Sequence, residues 1–162
     1  MANLILVCGL PGSGKSTFLS KLNNKNCKII SRDKIRFSLL KEGDMYFAHE
    51  NEVKEMLWSQ INESLSNGYD TYVDQTSLNP EARSYLLKNI TTNYDKCIAY
   101  WFNISVQTCL NRNENRFGTK AYVPRGVIRR MSYQFVPPIL EEGFDEIYRY
   151  NENDELVLEE CK

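Results

Sequence analysis

Gly9-Leu10-Pro11-Gly12-Ser13-Gly14-Lys15-Ser16 fits the pattern G-x-x-x-x-G-K-[S/T] at every fixed position. Glycines at these places let consecutive backbone N–H groups turn inward around an anion. A helix beginning at Lys15 adds a dipole that favours negative charge. Lys15 is the candidate catalytic cation for the β- and γ-phosphates of a nucleoside triphosphate. Ser16 is the candidate metal ligand, offering its hydroxyl to Mg²⁺. Gly9, Pro11, Gly12, Ser13, Gly14, Lys15, Ser16 and Thr17 are the candidate nucleotide-binding residues, and ATP with Mg²⁺ are the cofactors they imply. The guanine-reading element N-K-x-D is absent, since Asn23-Asn24-Lys25-Asn26 lacks its aspartate, and so is an L-S-G-G-Q signature. A small kinase fits better than a GTPase, a transporter ATPase or a motor.

A kinase also needs an acceptor side. A carboxylate must take the proton of the attacking hydroxyl, and a guanidinium can hold an anionic acceptor. Ser31-Arg32-Asp33-Lys34-Ile35-Arg36 offers both: Asp33 and Arg36 are three residues apart and share a helix face. The same residues also read as an N-terminal helix aspartate with a surface ion pair. Asp74, in Asp74-Gln75-Thr76-Ser77-Leu78-Asn79-Pro80, can orient Mg²⁺ through water or hold an arginine, or simply open a turn. Arg112 and Arg116, at a helix end and in an aperiodic stretch, suit a lid over the triphosphate or a solvated basic loop.

The elements that must position these groups alternate. Residues 3–8 form an apolar run that leads into the glycine-rich turn. A helix is predicted from Lys15 to about Asn23 and a strand over Cys27–Ile30. Ser31 and Asp33 open a helix bearing Ile35, Leu39 and Leu40. Val53, Leu57, Ile61 and Leu65 recur every fourth residue, which predicts a long amphipathic helix ending at Asn67-Gly68. Thr71–Asp74 reads as a strand. Asn79-Pro80 starts a helix carrying Tyr85, Leu86 and Ile90. Residues 96–103 read as a strand, and Ser105 caps a helix to about Asn113. Residues 114–123 read as loop, and Pro124 begins a helix with Val127, Met131 and Phe135 on one face. Residues 146–150 and 155–158 are weak strand signals. The expected fold is α/β: a parallel β-sheet flanked by helices on both faces, in one domain over 1–162. In such a sheet Gly9, Arg32-Asp33, Asp74 and the segment after Asn103 converge beyond the carboxyl ends of the strands.

Composition narrows the setting. No apolar run reaches the ~18 residues of a membrane span, so no membrane partner is expected. The N-terminal segment lacks a basic flank and reads as a strand rather than a signal peptide. Cysteines at 8, 27, 97, 109 and 161 have no metal-ligand or C-x-x-C spacing, and reduced thiols in a cytoplasmic protein are the expectation. Net charge is only −1, but residues 112–130 hold five arginines and Lys120 against Glu114, whereas residues 141–160 hold nine acids against Arg149. A basic segment adjoins an acidic C-terminal one of about 141–162.

Taken in order, G-x-P-G-S-G-K-S-T at 9–17, S-R-D-x-x-R at 31–36, D-x-T-x-L-N-P-x-x-R at 74–83, R-N-x-x-R at 112–116 and T-K-A-x-V-P at 119–124 with Met131 resemble the kinase domain of phage-type polynucleotide 5′-hydroxyl kinases. The resemblance runs from about residue 3 to residue 150. It implies an adenylate-kinase-like P-loop kinase with a lid at about 112–124, transferring the ATP γ-phosphate to a 5′-OH end of DNA or RNA. By motif position Asp33 is the general base, and Arg36 grips the phosphate beside the acceptor hydroxyl. Asp74, with Thr76 and Arg83 in support, serves the acceptor site. Arg116, with Arg112, is the lid arginine on ATP. A nucleic-acid ligase acting downstream is an implied partner. Enzymes of this type often carry a 3′-phosphatase domain with an Asp-x-Asp motif; none is present, so kinase activity alone is expected. Glu142-Gly143-Phe144-Asp145 is similar to the end of smaller P-loop kinases with diverse acceptors. This leaves open a kinase of a small metabolite or nucleoside, or a nucleotide-binding module that transfers nothing.

Overall fold

Leu4–Cys8 is buried along its whole length, a condition met by strands covered on both faces. It forms the first strand, β1. The structure, a computed structural model, describes residues 2–162. Its elements are β1 (Leu4–Cys8), α1 (Lys15–Ser20), β2 (Cys27–Ser31), α2 (Arg32–Leu39), α3 (Glu50–Ser66), β3 (Asp70–Asp74), α4 (Pro80–Lys88), β4 (Cys97–Phe102), α5 (Val106–Glu114), α6 (Arg125–Gln134), β5 (Glu146–Tyr150) and β6 (Leu156–Cys161). The strands form one six-stranded sheet ordered β2-β3-β1-β4-β5-β6, with β1 at its middle.

Side chains alternate along β1 between two apolar layers. Leu4, Leu6 and Cys8 join Val73, Ala99 and Trp101 beneath Val53, Leu57, Ile61 and Leu65 of α3 and Leu86 of α4. Val7 joins Phe102 and Tyr150 against Leu19 of α1, Cys109 and Leu110 of α5 and Ile128 of α6. The four-residue repeat of α3 is the buried stripe the sequence predicts, each such side chain contributing roughly 1.5–3 kcal/mol of burial. Among the described residues no helix is long and apolar enough to cross a membrane.

Strands β1 to β5 are parallel. The expectation of a parallel sheet needs one correction: β6 runs antiparallel to β5 at the edge. Only a short turn separates these two strands, and a chain that reverses in a few residues can pair only antiparallel. Several helices are also shorter than their apolar patterns suggest. α1 ends at Ser20 and α4 at Lys88, so Ile90 packs on the core from beyond its helix.

Candidate active site

The turn after β1 is shaped by glycines that no other residue could replace. Gly12 and Gly14 adopt φ of +81° and +98°, and a Cβ on Gly12 would lie 2.5 Å from the Cys109 carbonyl oxygen. The turn is therefore wedged against α5. Its far end is anchored by Gly9 N–H, which donates to the Thr76 carbonyl at 3.0 Å. Thr76 thus braces the cradle through its backbone.

Lys15 is buried, and its ammonium donates to the carbonyls of Gly9 and Leu10 at 2.8 and 2.9 Å. Burial lowers its pKa, while the carboxylates of Asp74 and, more weakly, Asp33 oppose that shift. Both acids therefore lie within electrostatic reach of the cation. Ser13 is 1 % exposed and its Oγ has no protein partner. An orphaned buried hydroxyl in the glycine-rich turn suits a bound phosphate.

Asp74 ends β3. The sheet register sets it beside Val7 of β1 on one side and Ser31 of β2 on the other. Ser16 Oγ donates to Asp74 Oδ2 at 3.1 Å. A hydroxyl and a carboxylate in contact, both oxygen donors at the phosphate end of the cradle, fit Mg²⁺. Of the two places expected for Asp74, beside Mg²⁺ or in support of the acceptor, its contact with Ser16 fits the first.

The second carboxylate stands at the end of β2. Ser31 caps α2 by accepting the Lys34 N–H, which fixes Asp33 in the first turn, where its side chain is 65 % exposed. Arg36, one turn on, is 6 % exposed. Its Nη1 donates to Asp33 Oδ1 at 2.6 Å and to the Tyr46 hydroxyl at 2.8 Å. Its Nε and Nη2 donate to the two Glu50 oxygens at 3.2 and 2.8 Å. Four of its five N–H groups are engaged, so Arg36 offers an acceptor one N–H rather than an open fork. Arg32 also donates to Glu50, at 2.6 Å. The arginines hold the Glu50 carboxyl below its ordinary pKa against the opposing effect of burial.

Glu50, Tyr46 and Phe47 are constituents that sequence reasoning missed. Residues 41–49 lack periodicity, and the signal available was the run Met45-Tyr46-Phe47 after four polar or glycine residues. Asn113 was also overlooked, although it lies inside the R-N-x-x-R motif. It is fully buried and bonds Val123 through both its amide oxygen and nitrogen. This closes the base of the loop between α5 and α6.

The lid region is partly helical: Arg112 sits in the last turn of α5, and only the residues after Glu114 form turns. Arg112 Nη1 donates to the Ser13 carbonyl at 3.2 Å, so this arginine lies over the cradle. Arg116 is half-buried on the following turn. Thr17 is exposed on α1 and Pro11 half-buried in the turn. Arg83, expected in support of the acceptor site, has no exposed surface and pairs with Glu142 at 2.6 Å. It also donates to the carbonyls of Ser77 and Val136. With its donors committed inside the protein, Arg83 positions the segment after β3.

A phosphate cradle between β1 and α1, carboxylates where the adjacent strands β2 and β3 end and Arg112 leaning in from α5 define the class of this molecule: a P-loop kinase, whose fold implies ATP binding. The chain belongs to the AAA domain family, whose profile matches residues 4–138. An L-seryl-tRNA(Sec) kinase of Methanococcus maripaludis is 29% identical over 98% of this chain and 70% of its own length. A protein of Autographa californica nuclear polyhedrosis virus assigned as a bifunctional polynucleotide kinase/RNA ligase is 26% identical over 70% of this chain. A chain in the structure of the Pnkp1/Rnl/Hen1 RNA repair complex superposes over 82% of this chain with a TM-score of 0.69 at 22% identity, a likeness of fold. The present chain spans 43% of that structure's chain and 18% of the viral protein.

Proposed function

We propose that this protein transfers the γ-phosphate of ATP to the 5′-hydroxyl end of a polynucleotide. The observation that carries the reading is the exposed Asp33 carboxylate, held by Arg36 at 2.6 Å and within the electrostatic reach of Lys15. A base so placed faces solvent, from which the acceptor arrives, and opens the helix after β2, whose last residue pairs with Asp74, itself bonded to Ser16 of the cradle.

The residues divide the work as follows. The backbone from Gly9 to Thr17, with Pro11 shaping the turn, and the Ser13 hydroxyl cradle the ATP phosphates. Lys15 neutralises the β- and γ-phosphates. Ser16 and Asp74 hold Mg²⁺, which supplies positive charge to the triphosphate. Asp33 takes the proton of the 5′-hydroxyl as its oxygen attacks the γ-phosphorus, and the bond to the departing ADP breaks. Arg36 fixes the base and meets the acceptor's neighbouring phosphate with its remaining N–H. Arg112 and Arg116 stabilise the charge that develops on the transferring group. Thr76 braces the cradle and Arg83 braces the segment behind it. The viral relative, whose name joins a kinase to a ligase, supports a nucleic-acid ligase as downstream partner, since ligation consumes 5′-phosphates.

The alignment with the L-seryl-tRNA(Sec) kinase covers nearly the whole chain and favours one alternative, a hydroxyl acceptor other than a 5′ end. Labelled γ-phosphate transfer from ATP and Mg²⁺ to 5′-OH DNA, 5′-OH RNA and seryl-tRNA separates the two. Label on an oligonucleotide is expected, with kcat falling by about 10²–10⁴ in Asp33→Ala while ATP affinity is retained. Label on seryl-tRNA alone would sink the 5′-end reading, and near-normal turnover in the variant would remove Asp33 from the mechanism.

A further inference from the structure

We propose that Phe47, buttressed by Tyr46, is the stacking platform for the terminal nucleobase of the acceptor strand; this rests on the polynucleotide reading above. The two rings lie in the stretch between α2 and α3 that no motif accounts for. Phe47 is 68 % exposed and Met45 beside it 82 %, an apolar surface that a folded chain ordinarily hides. It is not a free-standing patch. The Arg36 guanidinium lies 4.5 Å from the Tyr46 ring centroid and 5.6 Å from that of Phe47. The same guanidinium holds Asp33, so the exposed ring stands next to the acceptor carboxylate.

The geometry separates the roles of the two rings. Tyr46 meets Phe37 and Phe47 edge-on at centroid distances of 6.4 and 4.7 Å, and has Arg36 against it as well. Its hydroxyl accepts from Arg36 and donates to Asp33. Tyr46 is therefore fixed from several sides. Phe47 meets Tyr46 at an interplanar angle of 88° and is otherwise largely bare. A planar aromatic face backed by a guanidinium suits a nucleobase, which stacks through its π-face regardless of sequence and gains from a nearby cation. An acceptor whose 5′-hydroxyl reaches Asp33 carries such a base on the same nucleotide. The platform predicts tolerance of all four bases, because stacking uses the π-face that every base presents.

The test compares two oligonucleotides identical except that one lacks the base of its 5′-terminal nucleotide. With the wild-type protein, removing that base should raise the acceptor KM by about tenfold. Phe47→Ala should raise the KM of the intact acceptor by a similar factor, leave its kcat near the wild-type value and barely change the KM of the abasic acceptor. Phe47→Trp should restore the intact acceptor. Because the side chain is exposed, these variants keep the fold, which an unchanged thermal midpoint verifies. Equal effects of Phe47→Ala on both acceptors, or none on either, would overturn the platform while leaving the kinase reading intact. Absence of transfer to either oligonucleotide by the wild-type protein would overturn the polynucleotide reading and the platform with it.

Discussion

Single side chains in this protein carry charge through contacts that differ sharply in exposure. Lys15 is buried and depends on its own loop carbonyls and on Asp74, whereas Asp33 stays exposed and is ion-paired with Arg36. His49 is a third case. Its ring nitrogens pair with Asp44 at 2.9 Å and Glu52 at 3.4 Å. The Asp44 hydrogen bond, followed by that to Glu52, raises its pKa above the ordinary 6.5. A raised value means that the folded protein favours the charged ring. The stabilisation is complete below pH 6.5 and is lost as pH climbs through the higher folded value. Asp44 accepts the Lys41 N–H and titrates below its own ordinary range, so it stays ionised throughout that window. His49→Gln should thus lower the thermal midpoint most near pH 5.5 and least near pH 8.5, roughly. A deficit independent of pH would mean that the ring acts by packing rather than by charge.

At the scale of elements, buried polar clamps fix loops that the helices and strands alone leave unpositioned. Arg83 on α4 gathers Glu142, Ser77 and Val136, tying the turn after β3 to the chain that follows α6. Arg83→Met keeps most of the stem's volume but leaves the Glu142 carboxylate, 11 % exposed, without its cation. The variant should lose roughly 3–5 kcal/mol in urea unfolding, the range for removing one partner of a buried pair. A loss below about 1 kcal/mol would show that Glu142 finds water or another donor. α4 itself was easy to anticipate from Asn79, whose side chain accepts the Ala82 N–H, and from Pro80 at its first position. The partner of Arg83 was not, because Glu142 lies far along the chain and no periodicity links the two. The same applies to Glu50, which sits in the first turn of α3 and pairs back to α2.

Over the whole molecule, the charge asymmetry seen in the sequence has two different fates. The acidic C-terminal segment is largely consumed internally. Glu142 serves Arg83, Asp145 accepts the Cys97 N–H, Glu152 accepts the Ser105 N–H at the start of α5, and Glu159 accepts the Trp101 indole N–H. In the basic segment the Arg112 and Arg125 side chains have partners, whereas the side chains of Arg116, Lys120, Arg129 and Arg130 make no hydrogen bond or ion pair with any described residue. A basic surface therefore remains on the segment from Arg116 to Arg130 despite a net charge of −1. For a polynucleotide acceptor, kcat/KM should fall steeply between about 50 and 200 mM salt, with a slope near 0.7 per phosphate neutralised on a single strand. A nearly flat profile for the acceptor would favour a small uncharged substrate instead.

The sequence by itself determined the parallel part of the sheet, the glycine-rich cradle and the alternation that brings Asp33 and Asp74 to one rim. Those features follow from local rules: hydrophobic period, caps, and glycines where φ must be positive. The tertiary structure alone decided that Asp74 faces Ser16, that Arg36 is nearly saturated by Glu50, Asp33 and Tyr46, that Arg83 is internal, and that β6 turns back antiparallel. Each of these depends on which distant groups meet once the layers close. A side chain's partner is set by strand order and register, and neither is written in the few residues on either side of it.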